Sequence, residues 1–224
     1  MVSADIHWSY SSLKQYINCP KNYYETRVAK NYATKDTKYT IYGKEIHSAI
    51  ENYIINKTPF PKNYKKVLSA VPGILGSLPI DKYVEYKMAL NILKAPCRFD
   101  DPDYWVRGIA DLIAIDGETA FVIDWKTGSS QYADTKQLRL MALLIFAHFD
   151  KVQEVRSMLY FTKDNFPILD QTRHRETHES LWTEFSPDLF MLDQSFTHNN
   201  WPMKPSGLCG YCPVSSCPHY DPRN

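Results

Sequence analysis

Two strand-like runs joined by a tight-turn signal constrain the fold of this chain more than any other feature. The runs Tyr104–Ile115 and Thr119–Trp125 flank Asp116-Gly117, a dipeptide typical of two-residue β-hairpin turns. A hairpin determines which residues of its two strands face each other, because side chains alternate between the two faces of a sheet. We therefore predict a β-hairpin at the centre of the chain.

The expected register of this hairpin brings two acidic side chains onto one face. With the turn centred on that dipeptide, Ile115 pairs with Glu118 and Asp111 pairs with Val122. Asp124 then lies diagonal to Asp111, and the backbones of such neighbours are roughly 7–8 Å apart. The two carboxylates can therefore share one cation across the gap.

The segment Asp124-Trp125-Lys126 adds an amine to the same face, since residues two apart on a strand point the same way. Two carboxylates and an amine on a buried face are costly without a partner. Carboxylate oxygens favour Mg²⁺ or Mn²⁺, which can polarise a phosphodiester and supply a hydroxide, while Lys126 orients the water or neutralises charge. The alternative is a solvated hairpin in which Asp124 and Lys126 form an ordinary surface ion pair.

Two predicted helices carry further polar candidates. His47 and Glu51 lie four residues apart on the helix Ile41–Ile55 and so share one face, beside the apolar residues that turn toward the protein. Gln137 lies on the helix Asp134–Phe149, directly after the second strand of the hairpin. The alternatives are a histidine satisfied by ordinary contacts and a glutamine at the helix surface.

The order of elements along the chain predicts a mixed α/β fold. Helical patterns dominate residues 1–80, strands alternate with one long helix over 81–165, and a helix and a cysteine-rich tail occupy 166–224. A length of 224 residues and a charged fraction of 23% are typical of a globular protein. We therefore expect one domain with a short mixed sheet flanked by helices.

Composition restricts the setting in which the chain acts. No apolar run approaches the roughly 18 residues that a membrane span requires. Met1–Asp5 lacks the basic start and apolar core of a secretory signal. The net charge of +1 favours no class of partner by itself. We expect a cytoplasmic protein without membrane association.

Three cysteines near the end of the chain have the spacing of metal ligands. Cys209, Cys212 and Cys217 form the pattern C-x₂-C-x₄-C, and five cysteines in all argue against a closed set of disulfides. The spacing fits Zn²⁺, with His219 as one option for a fourth ligand, and it fits an iron–sulfur cluster equally well. Reduced, unligated cysteines are the remaining alternative, and Cys97 stands apart as a buried thiol.

Several segments, in order, resemble the motifs of the RecB-like branch of the PD-(D/E)XK nuclease superfamily, which includes phage exonucleases and CRISPR-adaptation nucleases. The resemblance runs from about Trp8 to Pro218. The segments are Trp8-Ser9-Tyr10-Ser11-Ser12-Leu13 with Cys19-Pro20, Tyr42-Gly43-Lys44-Glu45-Ile46-His47, Gly108-Ile109-Ala110-Asp111, Asp124-Trp125-Lys126-Thr127-Gly128, and Gln137. The family often has Tyr four residues after the Gln, where this chain has Met141.

The resemblance implies a role for each matching residue. The ligands of the catalytic Mg²⁺ or Mn²⁺ would be the side chains of His47, Asp111 and Asp124. The backbone carbonyl of Trp125 would be the fourth ligand. Lys126 would be the catalytic lysine, and Gln137 would help to place the DNA or the lysine. Glu51 and Glu85 would lie just outside the ligand set or be structural.

A cofactor and an architecture are implied as well. Iron–sulfur members of this branch pair one N-terminal cysteine with three C-terminal ones, which here implies a [4Fe–4S] cluster on Cys19, Cys209, Cys212 and Cys217. Such a clasp would join the N- and C-terminal segments of one nuclease domain, residues 1–224, with a restriction-endonuclease-like core. Zn²⁺ on the same four cysteines is the alternative.

The resemblance predicts a DNA nuclease, most simply an exonuclease of recombination, repair or phage DNA metabolism in a prokaryotic cell or a phage-infected host. Its DNA would be single-stranded or end-containing, since aromatic rings among basic residues suit bases that can stack. The candidate contacts are Lys21, Arg27, Lys30, Lys35 and Lys38 with Tyr23, Tyr24, Tyr32 and Tyr39. A cluster-bearing DNA-binding subunit with an idle site and an endonuclease of the same fold are the rivals.

Overall fold

The structure is a computed structural model that describes residues 6–222, so that Met1–Asp5 lies outside the described residues. The chain divides into two compact units. Residues 37–182 form the first, the sheet unit, and the residues before 37 together with those after 182 form the second, the terminal unit. The expectation of a single domain over 1–224 stays a prediction.

Helices occupy both ends of the chain and its middle. Their bounds are α1 Tyr10–Asn18, α2 Pro20–Tyr23 with a π-helical turn Tyr24–Val28, α3 Lys38–Asn56, α4 Val71–Gly76, α5 Lys136–His148, α6 His178–Thr183 and α7 Ser186–Thr197. The side chain of Ser9 caps α1. Thr37 caps α3 in the same way, so this helix begins three residues before the predicted bound at Ile41.

The strands form one mixed sheet among the described residues. Their bounds are β1 Asp81–Leu90, β2 Pro96–Cys97, β3 Val106–Asp116, β4 Thr119–Lys126, β5 Glu154–Phe161, β6 Phe166–Leu169 and β7 Arg173–His174. Their order is β2-β1-β3-β4-β5-β6, with β7 pairing with β5. Only β4 and β5 run parallel, and α5 makes the crossover between them. This is the mixed sheet flanked by helices that the sequence predicted.

The hairpin register differs from the predicted one by two residues. Ile115 pairs with Ala120, and Asp116 pairs with Thr119, so Ile115 does not face Glu118. Gly117 and Glu118 occupy the two central positions of the turn. Gly117, with φ of +57°, takes the first of them, which is the position that a type II′ turn reserves for glycine. A shift of two keeps every side chain on its predicted face, and it brings Asp111 level with Asp124 instead of diagonal to it.

Helices cover both faces of the sheet. One face carries Leu112, Ile123 and Trp125, which pack with Ile46 and Ile50 of α3. The other face meets α5, whose Leu138 packs with Leu159 and Phe161 of β5. Asp124 and Lys126 therefore point toward α5, while their neighbours Ile123 and Trp125 point toward α3.

The terminal unit has a small aromatic core of its own. Tyr16, Tyr23, Phe196 and Trp201 pack ring against ring with centroid separations of 4.9–6.5 Å. The Tyr16 hydroxyl is also 2.7 Å from Ser195 Oγ. This core joins the first helices of the chain to α7 and the segment after it.

Candidate metal centre

The ladder between β3 and β4 ends one pair before the two predicted aspartates. Leu112 pairs with Ile123, and the next level holds Asp111 and Asp124. There the backbone N–H of Trp125 donates to Asp111 Oδ2 at 2.8 Å, in place of a ladder bond. The strands therefore open where the carboxylates lie, and one carboxylate oxygen is fixed by the backbone.

His47 reaches this level from α3. Its Nδ1 lies 3.4 Å from Asp111 Oδ2. Burial opposes the charge on the imidazole, but the Asp111 carboxylate outweighs that effect and raises the pKa of His47. A histidine held beside a carboxylate in this way offers two donor atoms that could bind one cation.

Asp124 is buried between a lysine and an amide. Lys126 Nζ is 2.7 Å from Asp124 Oδ2 and 2.9 Å from Gln137 Oε1, and the Gln137 amide donates to Asp124 Oδ1. The ammonium and Asp124 Oδ2 form an ion pair on a side chain that is only 6% exposed. A buried carboxylate beside a second carboxylate fits a cation ligand, because one lysine does not balance both charges.

The surroundings of Asp124 disfavour its charge. Burial is the largest cause and the Asp111 charge the second, and together they raise the pKa of Asp124 to about 6, despite the opposing effect of Lys126. A divalent cation would remove this cost, because it supplies positive charge to both carboxylates at once.

Glu85 is the residue whose place in the site the sequence did not reveal. It lies in β1 with φ of +48°, a left-handed conformation that costs a non-glycine residue about 1 kcal/mol or more. Val84 pairs with Leu112 and Tyr86 with Ala110, so Glu85 interrupts the ladder opposite Asp111. Burial and the Asp111 charge raise the pKa of Glu85.

Glu85, His47 and Asp111 each offer one ligand atom, and these three atoms lie within 4.8 Å of one another. The resemblance assigned Glu85 only a secondary or structural place. The sequence signal was a glutamate inside a strand, but the backbone conformation that turns it toward Asp111 has no sequence signature. Glu51, one turn after His47 on α3, acts on this group through its charge, which raises the pKa of Glu85.

The four cysteines of the predicted clasp line one cavity of about 390 Å³ in the terminal unit, together with His219. No three of their sulfurs lie within 4.8 Å of one another, a statement that covers the described residues only. Asn22 donates to Cys212 Sγ at 3.0 Å, and the Ser206 N–H donates to Cys209 Sγ at 3.4 Å. Cys97 lies apart in β2 and is half-buried rather than buried.

Several predicted DNA contacts serve the terminal unit itself. Lys21 pairs with the buried Glu25 at 2.6 Å, and Tyr23 is buried in the aromatic core. Arg27 donates to Gln15, while Tyr24 packs on Trp201. Other candidates are exposed: Lys30, Lys35, Lys38 and Tyr39.

Comparison with known proteins gives one family, and the solved structures that resemble this chain include two that are distant in sequence. Residues 75–218 match the sequence model of the PD-(D/E)XK nuclease superfamily. A proposed exonuclease from Eubacterium rectale is 11% identical, with a TM-score of 0.47 over 95% of this chain and 94% of that chain. SSO0001 is 12% identical, with a TM-score of 0.44 over 99% and 90%. No curated protein matches the sequence. Within residues 6–222 no helix is both long and apolar enough to span a bilayer.

Proposed function

This chain belongs to the PD-(D/E)XK nuclease superfamily, and from that membership we propose that it is a divalent-metal-dependent exonuclease that hydrolyses phosphodiester bonds of DNA. The observation that carries the proposal is the group of His47, Glu85 and Asp111 at the open end of the hairpin. Asp124 lies outside this group, but it is close enough for the Asp111 charge to raise its pKa, and it pairs with Lys126.

Nucleases of this superfamily act on DNA with divalent metals. Here we propose His47, Asp111 and Asp124 as ligands, with the Trp125 carbonyl and with Glu85 added to the set. Support comes from the close approach of His47 to Asp111 and from the burial of Asp124 beside the Asp111 charge. Mostly oxygen donors favour Mg²⁺ or Mn²⁺. When bound, such an ion polarises the phosphodiester and lowers the pKa of water.

Lys126 and Gln137 act on the substrate side of this site. The Lys126 ammonium is held by two acceptors, Asp124 and Gln137, at 2.7 and 2.9 Å. A fixed ammonium neutralises the charge that develops on the attacked phosphate and orients the attacking water. Gln137 fixes both Lys126 and Asp124, so its role is to position them.

Substitution of the two central residues tests the proposal. Asp124→Ala and Lys126→Ala should each abolish Mg²⁺- or Mn²⁺-dependent cleavage while DNA binding remains. The matched controls are Asp116→Ala and Lys151→Ala, which replace exposed residues of the same types and should leave cleavage unchanged. Cleavage that persists in both central variants would refute the assignment. Absence of cleavage in the unchanged chain, with DNA still bound, would favour a DNA-binding subunit with an idle site.

Exonuclease action is the finer part of the proposal, and its support is the motif resemblance. A nuclease that needs an end digests linear DNA and leaves covalently closed circles intact. Digestion of circular and linear molecules of the same sequence therefore separates an exonuclease from an endonuclease of the same fold. Recombination, repair and phage DNA metabolism, in a prokaryotic cytoplasm or an infected host, are the processes in which we expect it to act.

For the cysteine cavity we propose a [4Fe–4S] cluster on Cys19, Cys209, Cys212 and Cys217. Four thiolates on one Zn²⁺, at about 2.3 Å each, would lie only about 3.8 Å from one another. The support for the cluster is the motif resemblance, together with the position of all four cysteines in the lining of one cavity. Zn²⁺ with these cysteines or with His219 remains the alternative.

A further inference from the structure

A hydrogen bond at the metal centre joins the two ends of the loop between Lys126 and Gln137. Lys126 Nζ and Gln137 Oε1 are 2.9 Å apart, so both ends of the segment 127–136 meet beside Asp124. Tyr132 lies at the middle of this segment. It is the sixth residue after Lys126, and a chain of that length spans at most about 20 Å.

Hydrogen bonds hold the tip of the loop. The backbone N–H and the hydroxyl of Ser130 both donate to Asp164 Oδ2, at 3.0 and 2.9 Å. Ser129 accepts from the Gln131 N–H, and residues Ser130–Tyr132 form a 3₁₀ turn. At the base of the loop, the Thr162 N–H donates to the Lys126 carbonyl at 2.9 Å.

This fixed turn presents a bare aromatic ring to solvent. Tyr132 is 79% exposed, and within residues 6–222 its ring and hydroxyl have no hydrogen bond, ring contact or cation contact. A second exposed ring, Phe166, is 51% exposed and lies level with Lys126 in the sheet, because Lys126 pairs with Phe161 and Phe161 pairs with Phe166. An exposed ring on a hydrogen-bonded turn does not stabilise the hydrophobic core. It is suited to stacking on a flat ligand, because its position is already set before binding.

We propose that Tyr132 is a stacking platform for an unpaired base of the DNA strand whose phosphate lies at the metal centre. The inference rests on the proposed nuclease function and names its substrate as single-stranded or frayed DNA. Bases stack on aromatic side chains without sequence preference, because every base has a flat face. Asp164 is the positioning residue for this platform, acting through Ser130.

Binding of a single-stranded oligonucleotide containing 2-aminopurine, measured by fluorescence in Ca²⁺ to keep binding separate from cleavage, tests the proposal. Tyr132→Ala should raise the Kd about 5- to 150-fold, the range that the loss of one stacked base produces, while Tyr132→Phe keeps the ring and the affinity. The matched control is Phe190→Ala, which removes an aromatic ring 57% exposed in the terminal unit and should change nothing.

The pinned turn gives a second readout. Asp164→Ala should weaken binding in the unchanged chain, but it should add nothing in the Tyr132→Ala background, since the two residues act through one contact. Independent, additive losses would overturn the positioning role of Asp164. Binding to a covalently closed duplex should not depend on Tyr132.

The inference and the proposed function fail in different ways. A Kd for Tyr132→Ala within twofold of that for Phe190→Ala, an equal loss on closed duplex, or no binding of single strands by the unchanged chain would overturn the stacking role. A Tyr132-dependent affinity in a chain that cleaves no DNA with Mg²⁺ or Mn²⁺ would overturn the nuclease and leave the stacking role standing.

Discussion

At the scale of single residues, the centre is built from groups that must lose protons before they can bind a metal. Burial and the neighbouring Asp111 raise the pKa of Asp124 to about 6, and the Asp111 carboxylate raises the pKa of His47 against the effect of burial. A carboxylic acid and an imidazolium are both poor ligands. Metal affinity should therefore depend on pH in the range where these groups titrate.

We expect the Kd for Mn²⁺ to rise at least about tenfold between pH 7 and pH 5, because each bound ion must displace protons from Asp124 and His47. Calorimetric titration in buffers of different ionisation enthalpy measures both the affinity and the protons released. An affinity that is constant over this range, with no proton release, would contradict the assignment of these two ligands.

The same pKa predicts how Asp124 affects the stability of the metal-free chain. Its pKa rises from 3.8 to about 6 on folding, so the native state holds the proton more tightly. Its contribution to stability is fully present below pH 3.8 and is lost as the pH rises through about 6. Asp124→Asn should therefore raise the Tm at pH 7, by about 2 °C or more, with a smaller gain near pH 4. Asp116→Asn, at the exposed turn, is the control, and an equal gain in both variants would contradict the prediction.

Glu85 links backbone strain to metal binding. Replacement by glycine removes the cost of a left-handed conformation, so Glu85→Gly should stabilise the metal-free chain by up to about 1 kcal/mol. The same change removes a proposed ligand, so the rise in Tm that Mn²⁺ is expected to cause should shrink. Glu85→Gln keeps the strain and should lose only the metal effect. A Glu85→Gly chain that gains as much from Mn²⁺ as the unchanged chain would show that Glu85 is not a ligand.

At the scale of elements, the spacing between α3 and the strand β4 determines where His47 lies. Gly43 is one turn before His47, and a Cβ at this position would lie 3.3 Å from Thr127 Oγ1, tighter than ordinary contact. The glycine thus lets the helix approach the residue that follows Lys126. A methyl group here requires either the Thr127 hydroxyl or the turn that carries His47 to move by a few tenths of an ångström.

We expect Gly43→Ala to weaken Mn²⁺ binding several-fold although alanine favours the helix itself. Thr127→Ala removes the opposing hydroxyl, so the double variant should recover the affinity of the unchanged chain, whereas Thr127→Val keeps a branch of similar size and should not rescue. Titration of the four chains with Mn²⁺ measures this coupling. A Gly43→Ala chain with unchanged affinity would show that the close approach has no influence on the metal centre.

A second close approach involves Met141, four residues after Gln137 on α5. A Cβ on Gly108 would overlap the Cε methyl of Met141 and lie 2.8 Å from Leu144 Cδ1. Met141 is only 3% exposed, so this position of α5 packs on β3 in this chain and does not face solvent. The glycine at 108 and the methionine at 141 are therefore parts of one packing contact.

The sequence predicted the elements better than their fine geometry. The hairpin, α3, α5 and the shared face of Asp124 and Lys126 follow from periodicity and turn residues, which act locally. The register was two residues off, because Asp-Gly indicates a turn without specifying which position its glycine takes. The left-handed Glu85 could not be predicted, since strain there is maintained by the surrounding sheet and not by its own neighbours.

At the scale of the whole molecule, the two units differ in what can stabilise them. The sheet unit has a layered core of helices on a sheet, with residues such as Leu112, Ile123 and Ile50 almost fully buried. The terminal unit joins two distant stretches of chain through a few rings and surrounds a cavity with thiols. A small core with distant segments gains most from a cofactor that cross-links them.

Loss of one cysteine of the cavity should therefore cost both colour and stability. We expect Cys209→Ser to lose the brown absorption, the iron and the acid-labile sulfide, and to lower the Tm by about 2–4 °C for each kcal/mol of binding lost. Cys97→Ser is the matched control, because that thiol lies in β2, away from the cavity, and its loss should change neither iron content nor Tm. Metal analysis of the anaerobically purified chain decides between the two guests. Iron and sulfide in equal amounts would support the cluster. Zinc without sulfide would indicate a tetrahedral zinc site in its place. A chain that contains neither metal and unfolds at the same temperature as Cys209→Ser would contradict any metal-bound clasp.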